Sequence, residues 1–265
     1  MKDGPFGEPC GVMSQPRITM SRICKSFGGK TALDGACLKL MDAEILGMVG
    51  DNGAGKSTLL KILAGVLPKD SGEVFVKGQQ VHIGSPRLAR NLGIEMVYQD
   101  LALCGSMSVW ENVFLGRYLT RAVPFTLFRV LDKKRMEKET RLAMTGLGID
   151  LTSVRLPVRG LSGGEQQAVA MCRCLISPPQ VVLLDEPTAS MAIWEKERIL
   201  KVILGLKERK CSVIMVTHDL DEVLQIADRV LVLKEGRDIW CGPVGGMNAK
   251  ELAQMMFAGK RTMGS

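Results

Sequence analysis

The sequence predicts an α/β protein whose sheet is mostly parallel and carries helices on both sides. Three observations lead there. Apolar runs of strand length alternate with segments of helical periodicity. Two Gly-rich turns, at 50–55 and 160–164, each open onto a helical segment. Residues 181–184 are apolar without a break, as expected of a strand covered on both faces.

Taken in order, 17–24 and 36–40 read as short strands, and 45–50 as a compact apolar strand running into the first Gly-rich turn. Helical spacing of Leu59, Leu60, Ile62 and Leu63 marks a helix over 57–65, ended by Pro68 and the turn Asp70-Ser71-Gly72. Segments 73–76 and 79–82 form a hairpin around Lys77-Gly78, and 94–98 is a further strand. Helices are expected at 108–117 and 132–147, then at 165–176, where Pro178-Pro179 stops the chain. Past 181–184 come a helix at 195–209, a strand at 212–217, a helix at 220–226 and a strand at 230–234. Between about 100 and 160 the alternation gives way to helices only, which predicts an inserted helical lobe. No internal repeat is visible.

The length of 265 residues supports one large domain, assigned to 15–265, behind a Gly- and Pro-rich disordered lead-in at 1–14. That lead-in lacks the apolar segment of a secretory signal, and no stretch approaches the roughly 18 apolar residues of a membrane span. Apolar residues are 46% and charged residues 24%, as in ordinary globular proteins. Aromatics are 5%, too few for a broad base-stacking platform, so no nucleic-acid partner is expected. The net charge of +7 by itself suits phosphate ligands, nucleic acid, an anionic membrane surface or a merely solvated basic surface. Eight cysteines include no CxxC pair. Cys172 and Cys174 lie two apart on a helix, point in different directions and are expected to be buried thiols. The two histidines, His82 and His218, are too few for a histidine-rich metal site.

The strongest motif is Gly50-Asp51-Asn52-Gly53-Ala54-Gly55-Lys56-Ser57-Thr58, a complete phosphate-binding loop between a strand and a helix. Its glycines let backbone N–H groups converge on phosphate oxygens at a helix N-terminus. Lys56 supplies charge to the β- and γ-phosphates, and Ser57 offers a hydroxyl to Mg²⁺. The strand at 181–184 delivers Asp185 and Glu186 to its C-terminal end, where ligands of open α/β sheets bind. Asp185 suits the Mg²⁺ shell, and Glu186 can polarise an attacking water. In the second Gly-rich turn Ser162 can cap the next helix, while Gly163 and Gly164 expose N–H groups at its positive end. By its residues alone this turn is either a second anion site or a simple helix cap.

The run Leu161-Ser162-Gly163-Gly164-Glu165-Gln166-Gln167, upstream of Asp185-Glu186, resembles the signature loop of ABC ATPases. The resemblance spans essentially the whole chain after about Gln15. It implies a P-loop NTPase (RecA-like) core with an N-terminal antiparallel β-subdomain and a helical lobe. Phe27 matches the aromatic that stacks on adenine, and Gln99 the glutamine that links the metal to the lobe. His218 matches the switch histidine at the γ-phosphate, and Ser162, Gly163, Gly164 and Glu165 the second, trans-acting half of an ATP site. The implied ligands are ATP and Mg²⁺, with Ser57, Gln99 and Asp185 on the metal and Glu186, His218 and Lys56 as catalytic groups.

Three stretches, 50–58, 98–103 and 107–117, are similar to carbohydrate importers of the ribose, xylose and fructose group, in its single-cassette branch. That similarity implies a homodimer arranged head to tail on the cytoplasmic face of the membrane, with permease subunits and a sugar-binding protein as partners. Apolar Met107, Val109, Trp110 and Phe114 would line a groove for the permease, unless they pack in the core. One departure stands out: Ala192 occupies the position where most of the family has Asp after Pro187-Thr188. Its presence leaves a regulatory or non-transport ABC ATPase with weak hydrolysis as the alternative.

Overall fold

A computed structural model describes residues 15–122, 128–189 and 191–258. The lead-in expected at 1–14 lies outside the described residues. The strands are β1 (Ile18–Phe27), β2 (Lys30–Leu40), β3 (Ile45–Val49), β4 (Ser71–Val76), β5 (Gln79–Gln80), β6 (Ile94–Val97), β7 (Thr120–Ala122), β8 (Arg129–Leu131), β9 (Val181–Asp185), β10 (Ser212–Val216), β11 (Arg229–Lys234) and β12 (Arg237–Pro243). The helices are α1 (Lys56–Leu63), α2 (Pro86–Asn91), α3 (Val109–Val113), α4 (Lys133–Gly146), α5 (Gly163–Leu175), α6 (Ile193–Glu208), α7 (Leu220–Ile226) and α8 (Ala249–Ala258).

The central sheet has the order β12-β11-β3-β10-β9-β6. Its pairings are parallel except for the β11–β12 hairpin at one edge. Side chains alternate across the pleat. Ile45, Val182, Leu184, Val213 and Met215 face one core, which continues into the lobe through Trp110, Phe114, Met136 and Met144. Leu46, Met48, Leu183, Ile214 and Val216 face the other, shared with α1 and the antiparallel sheet β2-β1-β4-β5. Burial on both faces explains why β3, β9 and β10 are apolar apart from Asp185 at the end of β9 and Ser212 at the start of β10. At Gly47 in β3 an added Cβ would lie 2.5 Å from Val223 Cγ1, so this strand's lack of a side chain lets α7 approach.

The two sheets are tied at one corner. Arg237 donates from Nε at 3.0 Å and Nη2 at 2.6 Å to one oxygen of Asp34, Oδ2, and Asp238 accepts from the Cys37 N–H at 2.7 Å. Cys172 and Cys174 are buried free thiols, and burial pushes both up to about 12.

The fold corrects the sequence reading in several places. The lobe holds helices α3 and α4 but also the hairpin β7–β8, so it is not purely helical. Its strands are three exposed residues each, too short for periodicity to reveal. Of the residues expected to line a permease groove, Val109, Trp110 and Phe114 are core residues, 0–7% exposed, and Met107 is half-buried. Helix α2, strand β12 and helix α8 went unanticipated. Helix α2 has only six residues, set by Ser85 capping and Pro86 in the first turn. Strand β12 is an edge strand with a mixed polar sequence.

Candidate functional site

Strands β3, β10, β9 and β6 are neighbours and run parallel, so the loops leaving their C-terminal ends collect on one rim of the sheet. Those four loops carry the phosphate loop, His218, Asp185-Glu186 and Gln99. The architecture thus assembles residues separated by up to 168 positions (218 − 50) in the chain.

The phosphate loop wraps between β3 and α1. Gly50 has φ +154°, and a Cβ there would run into the Leu233 carbonyl oxygen. Gly55 has φ +102°, and a Cβ there would stand 2.6 Å from the Ala32 carbonyl oxygen. Both positions demand glycine on two counts, conformation and space. Gly55 stands at the N-cap of α1 with no side-chain cap, so the first N–H groups of the helix are left for an anion. Lys56 is 7% exposed, and its ammonium donates to the carbonyls of Gly50 at 2.6 Å and Asp51 at 3.0 Å. Burial lowers its proton affinity, while Glu186, Asp185 and Asp51 oppose that effect.

Ser57 Oγ donates to Asp185 Oδ1 at 2.9 Å. Asp185 is 2% exposed, and burial raises its pKa against the Ser57 hydrogen bond and the charges of Lys61 and Lys56. A desolvated carboxylate beside a hydroxyl is a hard-oxygen donor set. Among the described residues no group of three or more His, Cys, Asp or Glu forms a metal cage. The Ser57 hydroxyl and Asp185 carboxylate fit Mg²⁺, which keeps waters and takes few protein ligands.

Glu186 has φ +52°, an unusual conformation for a non-glycine residue, and its N–H donates to the Val216 carbonyl at 2.9 Å. Its carboxylate accepts from Gln99 Nε2 at 3.3 Å and lies 3.6 Å from His218 Nδ1. Phe27 ends β1 with 46% of its surface exposed, which rules out a core role and leaves a ring face open. The Lys25 ammonium sits 5.4 Å from the centre of that ring.

The second Gly-rich loop stands apart. Ser162 caps α5, accepting from the Glu165 N–H at 3.3 Å, and Glu165 Oε2 accepts in return from the Ser162 N–H at 2.8 Å. Ser162, Gly164 and Glu165 line a cleft of about 520 Å³ with Trp194, Glu195 and Arg198, and no residue of 50–58 lines that cleft. Residues 50–58, Gln99, Asp185, Glu186 and His218 share the rim, whereas 162–165 line another cleft and Phe27 ends a strand of the other sheet.

Sequence reasoning missed three contributors. Glu195 Oε2 accepts from the Ala192 N–H at 3.1 Å, and its other oxygen packs against Gly164 of the second loop. Arg173 of α5 donates to the carbonyls of Leu101 and Ala102 at 2.8 Å each, holding the loop after Gln99 where both residues have positive φ. Glu222 ties Thr188 to Thr217, as described below. The spacing Ala192-x-x-Glu195 was a readable signal, disguised because alanine is no cap.

Residues 33–189 match the family described as ABC transporter. The chain is 37% identical over 234 residues to the xylose/arabinose import ATP-binding protein XylG of Sulfolobus acidocaldarius, covering 88% of this chain and 91% of that one. It is 38% identical to the fructose import ATP-binding protein FrcA of Rhizobium meliloti, covering 85% and 88%. Against the ribose import ATP-binding protein RbsA of Caldanaerobacter subterraneus the identity is 38%, with 91% of this chain spanning 48% of that protein. Among solved structures, cbiO1 of Clostridium perfringens, part of an ABC transporter complex, superposes with TM-score 0.71 at 28% identity, covering 91% and 94%. An ADP-bound conformation of another ABC transporter cassette gives TM-score 0.74 at 24% identity, which speaks to the fold. The chain belongs to the ABC transporter ATP-binding family, and the P-loop NTPase fold expected from the resemblance is present.

Ala192 is the N-cap residue of α6 and makes no side-chain capping bond. With Glu195 already bonded to its N–H, Ala192→Asp completes a reciprocal cap. This substitution is expected to raise unfolding free energy by about 1 kcal/mol, checked by urea denaturation.

Proposed function

We propose that this chain is the ATP-hydrolysing subunit of an importer that carries a sugar across the cytoplasmic membrane. The observation that carries the reading is the meeting of Ser57, Asp185, Glu186, Gln99 and His218 within hydrogen-bonding or ion-pair reach at the end of the phosphate loop. The names of the relatives at 37–38% identity support the sugar.

In this reading Phe27 stacks on the adenine, and the N–H groups of 50–58 with Lys56 cradle the phosphates. Ser57, Asp185 and Gln99 would hold Mg²⁺, which neutralises charge on the β- and γ-phosphates when bound. Glu186 orients the water that attacks the γ-phosphate, and His218 positions that carboxylate and contacts the phosphate. The loop at 162–165 opens away from the rim, so it closes over the nucleotide of a second copy. A head-to-tail homodimer then contains two composite sites, and it works with permease subunits and a sugar-binding protein.

The test is uptake of labelled xylose, ribose and fructose by proteoliposomes holding the assembled transporter, with ATP inside. ATP-dependent uptake of a sugar supports the reading, and ATP hydrolysis without uptake of any supplied solute removes the import assignment. A second reading, a regulatory cassette with weak hydrolysis, is favoured by Ala192. It predicts a wild-type ATPase rate no higher than that of Glu186→Gln.

A further inference from the structure

A polar cluster behind the rim joins three elements. Glu222 of α7 is 5% exposed. Its Oε2 accepts from Thr188 Oγ1 at 2.6 Å and from Thr217 Oγ1 at 3.4 Å. Thr188 lies two residues beyond Glu186, and Thr217 immediately precedes His218. One buried carboxylate therefore fastens both loops that present the candidate water-activating pair. Asp219, the residue after His218, is held as well: its N–H donates to Thr217 Oγ1 at 3.0 Å, and its carboxylate caps α7 through the Glu222 N–H at 3.3 Å.

Two carboxylates so close, one of them buried, repel each other unless a cation intervenes. Lys196, from the first turn of α6, supplies it. Its ammonium lies 3.1 Å from Asp219 Oδ2 and 2.9 Å from Glu222 Oε1. The Glu222 contact is ionic, since that oxygen has no well-directed hydrogen bond. Neither lysine nor glutamate reaches the phosphate loop, and no step assigned above uses them.

We infer that Lys196 is a positioning residue for ATP hydrolysis, acting through Glu222 and Asp219 to hold His218 against Glu186. Without the ammonium, Glu222 is left as an unpaired buried charge. It then draws in water or a proton, releases Thr188 or Thr217, and frees the two loops to shift independently. Small displacements of reacting groups cost rate far more than affinity. The nucleotide itself rests on 50–58, which the cluster does not touch, so turnover should fall while binding is kept. Neighbouring Glu195 packs on Gly164 of the second loop, so the same helical turn touches both the switch and the trans-acting loop.

The inference rests on the proposed hydrolytic function, and Glu186→Gln in the same assay separates the two. Lys196→Met is expected to lower kcat at least about tenfold with KM for ATP within about twofold. Lys196→Arg should retain at least about half of wild-type kcat, because it keeps the charge. Adding Glu222→Gln to Lys196→Met removes the stranded charge and should recover turnover by about threefold or more. If Lys196→Met does not fold, Glu222→Gln alone, which keeps an acceptor for Thr188, should lower kcat at unchanged KM. The inference is overturned by wild-type kcat in folded Lys196→Met or in folded Glu222→Gln. It is also overturned if kcat falls only together with nucleotide affinity and thermal midpoint. Retained turnover in Glu186→Gln would instead sink the hydrolytic reading.

Discussion

Glu186→Gln is expected to bind ATP with wild-type affinity and to hydrolyse it at least about 100-fold more slowly, the scale on which a general base acts. The geometry makes this substitution clean. Glutamine keeps the size of the side chain and an oxygen for Gln99 Nε2, which stands 3.3 Å from the carboxylate. It keeps the backbone bond to Val216 and the same left-handed conformation, so binding groups on 50–58 are undisturbed. What is lost is the charge that faces His218 Nδ1 at 3.6 Å and that, in the proposed function, polarises the attacking water. A protein that closes on ATP and cannot hydrolyse it should accumulate as an ATP-bound dimer on gel filtration. Turnover at the wild-type rate would remove Glu186 from its assigned role.

Lys56→Ala is expected to act on binding instead. The ammonium is the one side-chain cation of 50–58, and it is held between two loop carbonyls in a nearly closed environment. Charge-assisted hydrogen bonds of this kind are worth about 1.5–3 kcal/mol, so the Kd for ATP should rise by roughly 10- to 150-fold. The loop also loses the bracket across Gly50 and Asp51, which adds to the effect. Equilibrium titration with a fluorescent ATP analogue separates this from a turnover defect. An unchanged Kd with slow hydrolysis would move Lys56 from phosphate binding to chemistry alone.

Most of the rim was legible in the sequence because each piece is local. A strand, a Gly-rich turn and a helix sit within 45–65, and Asp185-Glu186 end an unbroken apolar run. Gln99 and His218 acquired meaning only through the family resemblance, and the sheet order β3-β10-β9-β6 is what brings them to Glu186. The network of Lys196, Glu222 and Thr188 was not legible, since it joins side chains from α6, α7 and the loop after β9 with no periodic or motif signal. The lobe hairpin escaped for another reason: strands of three exposed residues carry no pattern of burial. Trp110 and Phe114 show the converse, apolar residues whose destination between core and surface is decided by tertiary packing.

The corner where Arg237 meets Asp34 joins positions 203 residues apart, and the same corner closes around the phosphate loop. Gly55 packs on the Ala32 carbonyl, Gly50 on that of Leu233, and Gly236 donates to the Ala54 carbonyl at 3.0 Å. The loop's walls therefore come from both sides of it in sequence, from Ala32 just before it and from Leu233 and Gly236 far beyond it. Contacts of such sequence separation form late in folding, because chain entropy must be lost before they are gained. A nucleotide seated on 50–58 would thus bind the native state, in which these long-range contacts exist. At a hundredfold excess over Kd, such a ligand adds about 2.7 kcal/mol to the stability of the fold.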